Sequence, residues 1–194
     1  MSCKRLSLLF VAFLLAGCSR VFYQPGSSDF YSRYVSHWHR RGEIRRTPTD
    51  LIMSADAVFL SCPLRMRMVD LIAQRKGWRS IETEFKKEEE YAECQAYYDF
   101  VLAVYTKDSS WNDLDSPDSM WKVILVADGI RRYPESIVRV KPKADEVAVF
   151  YPFIKPWMKV YRVRFGRAGI RNAKSLKLII TSLMGRVTLS WDLR

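Results

Sequence analysis

From Tyr97 to the C-terminus, long stretches of the chain place a hydrophobic residue at every second position, and this alternation limits the possible folds more than any other feature. In "KVYRVRF", Tyr161, Val163 and Phe165 alternate with Arg162 and Arg164; in "RVTLSWDL", Val187, Leu189, Trp191 and Leu193 alternate with Thr188, Ser190 and Asp192. Successive side chains of a strand point to opposite faces, so this spacing requires one buried and one wetted face, as in antiparallel sheets. The pattern predicts strands over 97–106, 120–127, 136–141, 146–151, 158–165, 175–182 and 186–193. Gly185, in the short link "SLMGR", makes the last two a hairpin. Short strands separated by turns point to an antiparallel immunoglobulin-like β-sandwich.

The first half reads as helical. Phe30, Tyr31, Tyr34, Val35 and Trp38 share one face of a helix expected over 29–41, with Ser27 or Ser28 as its cap and Gly42 as its stop. A second helix is expected over 48–59, with Thr47 as N-cap. Pro63 suits the first turn of a third, which runs to Lys76 and is closed by Gly77; a charged helix follows from Glu82 to Glu93. The fold class is therefore α+β, with a helical region over 29–95 followed by the sandwich over 96–194.

The N-terminus has its own logic. Lys4 and Arg5 precede an apolar run from Leu6 to Leu15 that is too short to span a bilayer, which takes roughly 20 residues. A basic start, a run of this length and a small-residue end describe a secretory signal peptide. Leu15-Ala16-Gly17-Cys18 resembles the lipobox of bacterial lipoproteins. That resemblance implies cleavage after residue 17, a diacylglyceryl group on the Cys18 thiol and acylation of the new amine. Residues 18–28 then form a lipidated tether, and the membrane is a partner through the lipid anchor. Each buried methylene contributes about 0.8 kcal/mol, so several acyl chains hold the protein firmly. Ser19, rather than an aspartate, follows the cysteine, which by the rules of that family directs the protein to the periplasmic face of the outer membrane. The tryptophan-rich β half resembles β-sandwich lipoproteins of bacteria, a resemblance that carries no function with it.

Once Cys3 leaves with the signal and Cys18 is acylated, Cys62 and Cys94 remain, an even pair in an oxidising compartment. If "GWRS" at 77–80 turns an antiparallel helix pair, the two cysteines meet at its open end as a disulfide; otherwise they are two separate buried thiols.

The formal charge is +11, and the last 42 residues carry ten bases against one acid, Asp192. Lys159, Arg162, Arg164 and Lys177 are the candidate anion-binding residues, with the first arginines and Lys177 expected on wetted strand faces. Arginine forks suit phosphate and carboxylate. Export, rather than charge, excludes nucleic acid. The loop "WNDLDSPDSMW" offers Asp113, Asp115 and Asp118 as weak calcium ligands, but it lacks the EF-hand glycine and closing glutamate, and its residues also suit a tight turn. Trp111 and Trp121 are read as pinning that loop to the core. His37 and His39, the only histidines, point to different sides of a helix and cannot share a metal there. No phosphate loop, zinc-binding cysteine set or HExxH motif occurs, and no cofactor is expected.

These readings describe a membrane-anchored envelope lipoprotein, a non-catalytic binding or structural module. The alternative is an accessory or receptor subunit that binds an acidic envelope polymer or protein through the C-terminal basic face; the third is a calcium-binding or enzymatic site in loop 111–118. The anchor is directly testable. Cys18→Ala is expected to abolish incorporation of radioactive palmitate, and a variant that still labels refutes the lipobox reading.

Overall fold

The computed structural model describes residues 27–193. The expected signal peptide, Cys18 and most of the expected tether lie outside the described residues. Helix α1 (Ser27–Phe30), a π-helical turn (Tyr31–Val35) and α2 (Ser36–Trp38) run on as one arm into strand β1 (His39–Thr47). Then come β2 (Asp50–Phe59), α3 (Cys62–Lys76), α4 (Ser80–Ala96) and β3 (Tyr97–Thr106). After a 3-10 turn at Ser109–Trp111 follow β4 (Lys122–Ala127), β5 (Ile130–Arg132) and β6 (Ser136–Val140). Helix α5 (Ala144–Phe150), β7 (Lys159–Gly166), β8 (Ser175–Ser182) and β9 (Gly185–Asp192) complete the described chain.

The strands form two antiparallel sheets, one in the order β1-β2-β3-β7-β6 and the other β5-β4-β8-β9. The fold is thus mixed α+β. Between the sheets lies a core rich in large rings: Phe59, Tyr98, Phe100, Tyr161, Phe165 and Trp191 are all buried there. The Trp191 indole donates to the Trp38 carbonyl at 2.6 Å, which ties the end of the arm to the last strand. The other face of the larger sheet is covered in turn. Val58, Val101, Ala103 and Val160 pack there against Phe30 and Val35 of the arm, Leu64 of α3, and Val149 and Phe150 of α5. The molecule therefore has three layers, with the five-stranded sheet in the middle.

That middle position explains the largest departures from expectation. The region 29–95 is not helical throughout, because β1 and β2 fall inside it and belong to the five-stranded sheet. The helix expected over 48–59 is strand β2. Met53, Ala55, Ala57 and Phe59 face the inter-sheet core, while Ser54, Asp56 and Val58 face the helices, and all seven are buried. A strand buried on both faces loses the apolar–polar alternation and reads as a near-continuous hydrophobic run. Gly42 does not stop a helix. It lies within β1, where an added Cβ would stand 2.6 Å from a Val187 methyl, so its lack of a side chain lets β1 approach β9.

Other departures are local. Residues 146–151, expected as a strand, fall largely in α5: Asp145 and Glu146 occupy its first turn, and the Glu146 carboxylate accepts the Lys143 N–H at 3.2 Å in a capping box. Strand β5 was not expected, although its turn is written in the chain. Asp128 and Gly129 take φ of 45° and 88°, the paired positive values of a two-residue hairpin turn that Asp-Gly favours. The immunoglobulin strand order is also absent. In that order the third strand crosses to the opposite sheet, whereas here β1, β2 and β3 are successive neighbours in one sheet. The helix pair follows the expected punctuation. Ser61 caps α3 by accepting the Leu64 N–H, Pro63 stands in its first turn, and Gly77 closes it at φ 65°.

Cys62 and Cys94 are joined as a disulfide across the open end of the α3–α4 hairpin, with 5.4 Å between their Cα atoms. Closing a loop over a sequence separation of 32 residues restricts the unfolded chain by roughly 3–4 kcal/mol. The Cys62→Ala/Cys94→Ala double variant is expected to lose stability of that order in urea unfolding. An unchanged midpoint and slope would show that the bond does nothing for folding.

Candidate anion-binding faces

The four residues expected to form one basic site are divided among three places. Strand β7 turns Tyr161, Val163 and Phe165 into the inter-sheet core and Val160, Arg162 and Arg164 toward the helices. The face expected to be wet is therefore the helix-covered one. There Asp99, opposite Arg164 on β3, is fully buried and collects three guanidinium groups. Arg164 grips it bidentately, Nε to Oδ1 and Nη2 to Oδ2, both at 2.9 Å. Arg162 donates to Oδ2 at 2.8 Å, and Arg65 reaches the same oxygen from α3 at 2.5 Å. Arg65 is otherwise committed to the Leu60 carbonyl at 3.1 Å and to Glu90 at 2.6 Å, and Arg164 also binds Glu93. Three arginines thus meet three carboxylates. Arg162 and Arg164 therefore do not share an open strand face as expected: both are bound to Asp99 on the helix-covered side, where Arg162 keeps the more exposed side chain of the two.

Burial pushes the Asp99 carboxyl upward, but hydrogen bonds from Arg164 and Arg162, with the charges of Arg162 and Arg65, outweigh it and hold the group below the ordinary carboxylate range. The same contacts account for Arg164, whose hydrogen bonds to Asp99 raise its pKa further.

Lys159 has a different role. Its ammonium donates to the carbonyls of Ser109 at 3.2 Å and Asn112 at 2.6 Å, holding the loop after β3. Asn112 is buried and gives its amide to the Val104 carbonyl at 2.7 Å while accepting from the Tyr161 hydroxyl at 2.9 Å. Asp113 accepts from Ser119, and the Trp121 indole donates to the Trp111 carbonyl. Among the described residues no three His, Cys, Asp or Glu side chains come together to hold a metal ion, and Asp113, Asp115 and Asp118 form no such group.

Lys177 alone of the four stays on an open face. Strands β5, β4, β8 and β9 turn their inner residues to the core and leave a flat outer surface. Register puts Val126, Lys177 and Ser190 in one row with Arg131 beside Val126, and Lys122, Thr181 and Arg186 in another. Lys122, Arg131, Lys177 and Arg186 are exposed there, and Asp192 shares the outward side of β9 with Arg186 and Ser190. Half-buried Ile124, Val126 and Ile179 lie between the charges. Lys122 and Arg131 sit far from the C-terminal quarter in sequence, so a count of local charge could not include them.

His39 is the other residue whose place the sequence hid. As the first residue of β1, its Nε2 lies 2.8 Å from the buried Asp56 carboxylate and its Nδ1 lies 2.8 Å from the Tyr31 hydroxyl. With Asp56 accepting the Nε2 proton, Tyr31 is the donor to Nδ1. The ring also stacks on Phe153 at 4.3 Å. Both nitrogens are thus engaged in fastening the arm to the sheet.

No protein-family model, curated protein or solved structure matches the chain.

The charge cluster has a pH signature. Because the folded pKa of Asp99 lies below its unfolded value of about 3.9, its contribution is complete above that value and is lost as pH falls through the lower, folded pKa. Asp99→Asn leaves three arginines around a neutral amide and is expected to cost roughly 3–5 kcal/mol in urea unfolding at pH 7. It should also flatten the acid limb of the stability profile. A loss below about 1 kcal/mol would show that the arginines find other partners.

Proposed function

We propose that this chain is a lipid-anchored, non-catalytic module of a bacterial cell envelope that binds an acidic envelope polymer through the outer face of the four-stranded sheet. The observation that carries this reading is the set of four cations, Lys122, Arg131, Lys177 and Arg186, exposed on one sheet face. Neighbouring strands lie roughly 4.8 Å apart and residues rise about 3.4 Å along a strand. Lys122 and Arg186, two strands apart, are then roughly 10 Å from one another, as are Arg131 and Lys177, and about 13 Å separates the two rows. Such spacing suits a polymer with recurring anionic groups better than a single small anion, which needs several donors within one hydrogen-bond shell.

The non-catalytic part rests on the chemistry of the charged groups. The densest cluster, around Asp99, is neutralised internally, and His39 uses both ring nitrogens to hold the arm. Among the described residues no helix is long and apolar enough to cross a membrane, and the proposed attachment is the acyl group on Cys18. Lipopolysaccharide supplies phosphates and peptidoglycan supplies carboxylates; both present the repeated negative charge that this face complements. Contacts between exposed charges weaken with salt, so binding is expected to fall steeply between low and high ionic strength.

Co-sedimentation of the full chain with purified peptidoglycan, and separately with lipopolysaccharide, distinguishes the two sources. The Lys122→Glu/Lys177→Glu/Arg186→Glu variant is expected to lose at least tenfold in affinity for whichever polymer the wild type binds. Retention of that binding by the variant, or no binding of the wild type to either polymer, overturns the proposal.

A further inference from the structure

A cavity of about 300 Å³ opens between α3, α4, α5 and the helix-covered face of the five-stranded sheet. It is separate from the basic face, which lies on the opposite side of the sandwich. One side of it is apolar: Met68, Val69 and Ile72 of α3, Trp78 of the hairpin turn, and Phe150 of α5. The other is polar, and its groups differ in what they still have to offer. Arg65 has all three guanidinium nitrogens engaged, by Leu60, Glu90 and Asp99. Lys86 is paired with Glu89 and lies within reach of Glu90. Glu146 accepts the Lys143 N–H through one oxygen.

One lining group retains unused hydrogen-bonding capacity. Arg162 gives one nitrogen to Asp99, while its Nε is buried without a partner. Tyr151, largely buried, adds its phenol to the same lining. Burial pushes the Tyr151 phenol far above its ordinary range, so it keeps its proton and remains a donor. A buried donor left unsatisfied, as the Arg162 Nε is, is costly, which makes that guanidinium a natural contact for a ligand oxygen. The Arg162 side chain is 42% exposed, so this end of the cavity is open to solvent.

We propose that the cavity binds a small amphipathic monocarboxylate, its head group meeting Arg162 and Tyr151 and its apolar body lying along Met68, Ile72 and Phe150. The one unpartnered guanidinium nitrogen, the Arg162 Nε, limits the head group to a single charge. Arg65, Lys86 and Arg162 are matched by Glu90, Glu146 and the Asp99 beneath, so a dianion would add a repulsion that no spare cation offsets. The size selects a short body. At the roughly 30 Å³ that a water molecule occupies in the liquid, the space holds about ten non-hydrogen atoms. It is at the small end of ligand sites, and its apolar walls with a few convergent donors are their usual make-up.

Titration calorimetry of the full chain with octanoate tests this, with octylamine as the ligand of equal length and opposite charge. Octanoate is expected to bind, and octylamine at least tenfold more weakly. Arg162→Gln and Tyr151→Phe are each expected to weaken octanoate by about tenfold, the worth of one lost buried hydrogen bond to a charged group. Tyr151→Phe removes only the hydroxyl, so it separates ligand binding from the Asp99 cluster that Arg162 also serves. Met68→Trp fills the apolar end and is expected to abolish binding, with an unchanged far-ultraviolet circular dichroism spectrum and cooperative urea unfolding in all three variants as the check on folding. Absence of heat from wild type with millimolar octanoate means a merely hydrated cleft and overturns the proposal. So does equal binding of octylamine, or octanoate affinity that none of the three substitutions alters.

Discussion

Asp99 holds a carboxylate on the middle layer of a three-layer molecule, and it is itself fully buried there. A charge in that position is tolerated only if it is paired and its lone pairs are filled, and Arg65, Arg162 and Arg164 do both. The consequence reaches through the molecule. Arg65 comes from α3, Arg164 from β7, and the outer carboxylates Glu90 and Glu93 from α4, so one buried anion aligns the helix hairpin with the two central strands. The disulfide between Cys62 and Cys94 closes the same hairpin a few residues away. Removing the carboxylate would therefore disturb an inter-layer joint rather than a single contact.

A second joint lies across the same face of the sheet. Asp56, also buried, is met by His39, which in turn receives Tyr31 from the arm, and Trp191 secures the arm's last residue from the other side. Polar joints of this kind fix how layers sit on one another, because their hydrogen bonds are directional, whereas apolar packing alone tolerates sliding. Between the two joints the sheet surface is Val58 and Val101, and beside the Asp99 joint the helices stand off enough to leave the cavity lined by Arg162 and Tyr151. The outer face of the smaller sheet is not covered by helices and exposes Lys122, Arg131, Lys177 and Arg186. Its cations stay solvated, which leaves them free to meet an external partner and also discourages edge-to-edge association of strands.

How much of this was legible depended on whether water touched the element. Strands β7, β8 and β9 each expose or line a polar face, and their alternation is plain in the chain. Strand β3 matched its expected bounds although both its faces are buried, whereas β2, equally buried, was read as a helix. The basic residues show the same limit. Alternation told that Arg162 and Arg164 point together and away from the core, but not that helices cover them. The outer face needed Lys122 and Arg131 brought beside Lys177 and Arg186 by strand register, a relation with no trace in local sequence.

By itself, the sequence determined what local chemistry dictates: the antiparallel character of the C-terminal strands, and the first turn of α3 at Pro63 and its end at Gly77, with the lipobox-like setting of Cys18 as an expectation. These follow from side-chain alternation, from the fixed φ of proline and the free φ of glycine, and from a short contiguous motif. Tertiary structure alone decided which sheet face the helices cover, and with it which positive charges are neutralised and which remain open. The reason is that burial and ion pairing are properties of distance in space. Asp99 and Arg65 stand 34 residues apart along the chain, and Asp99 and Arg164 stand 65 apart, yet each pair meets within a hydrogen bond.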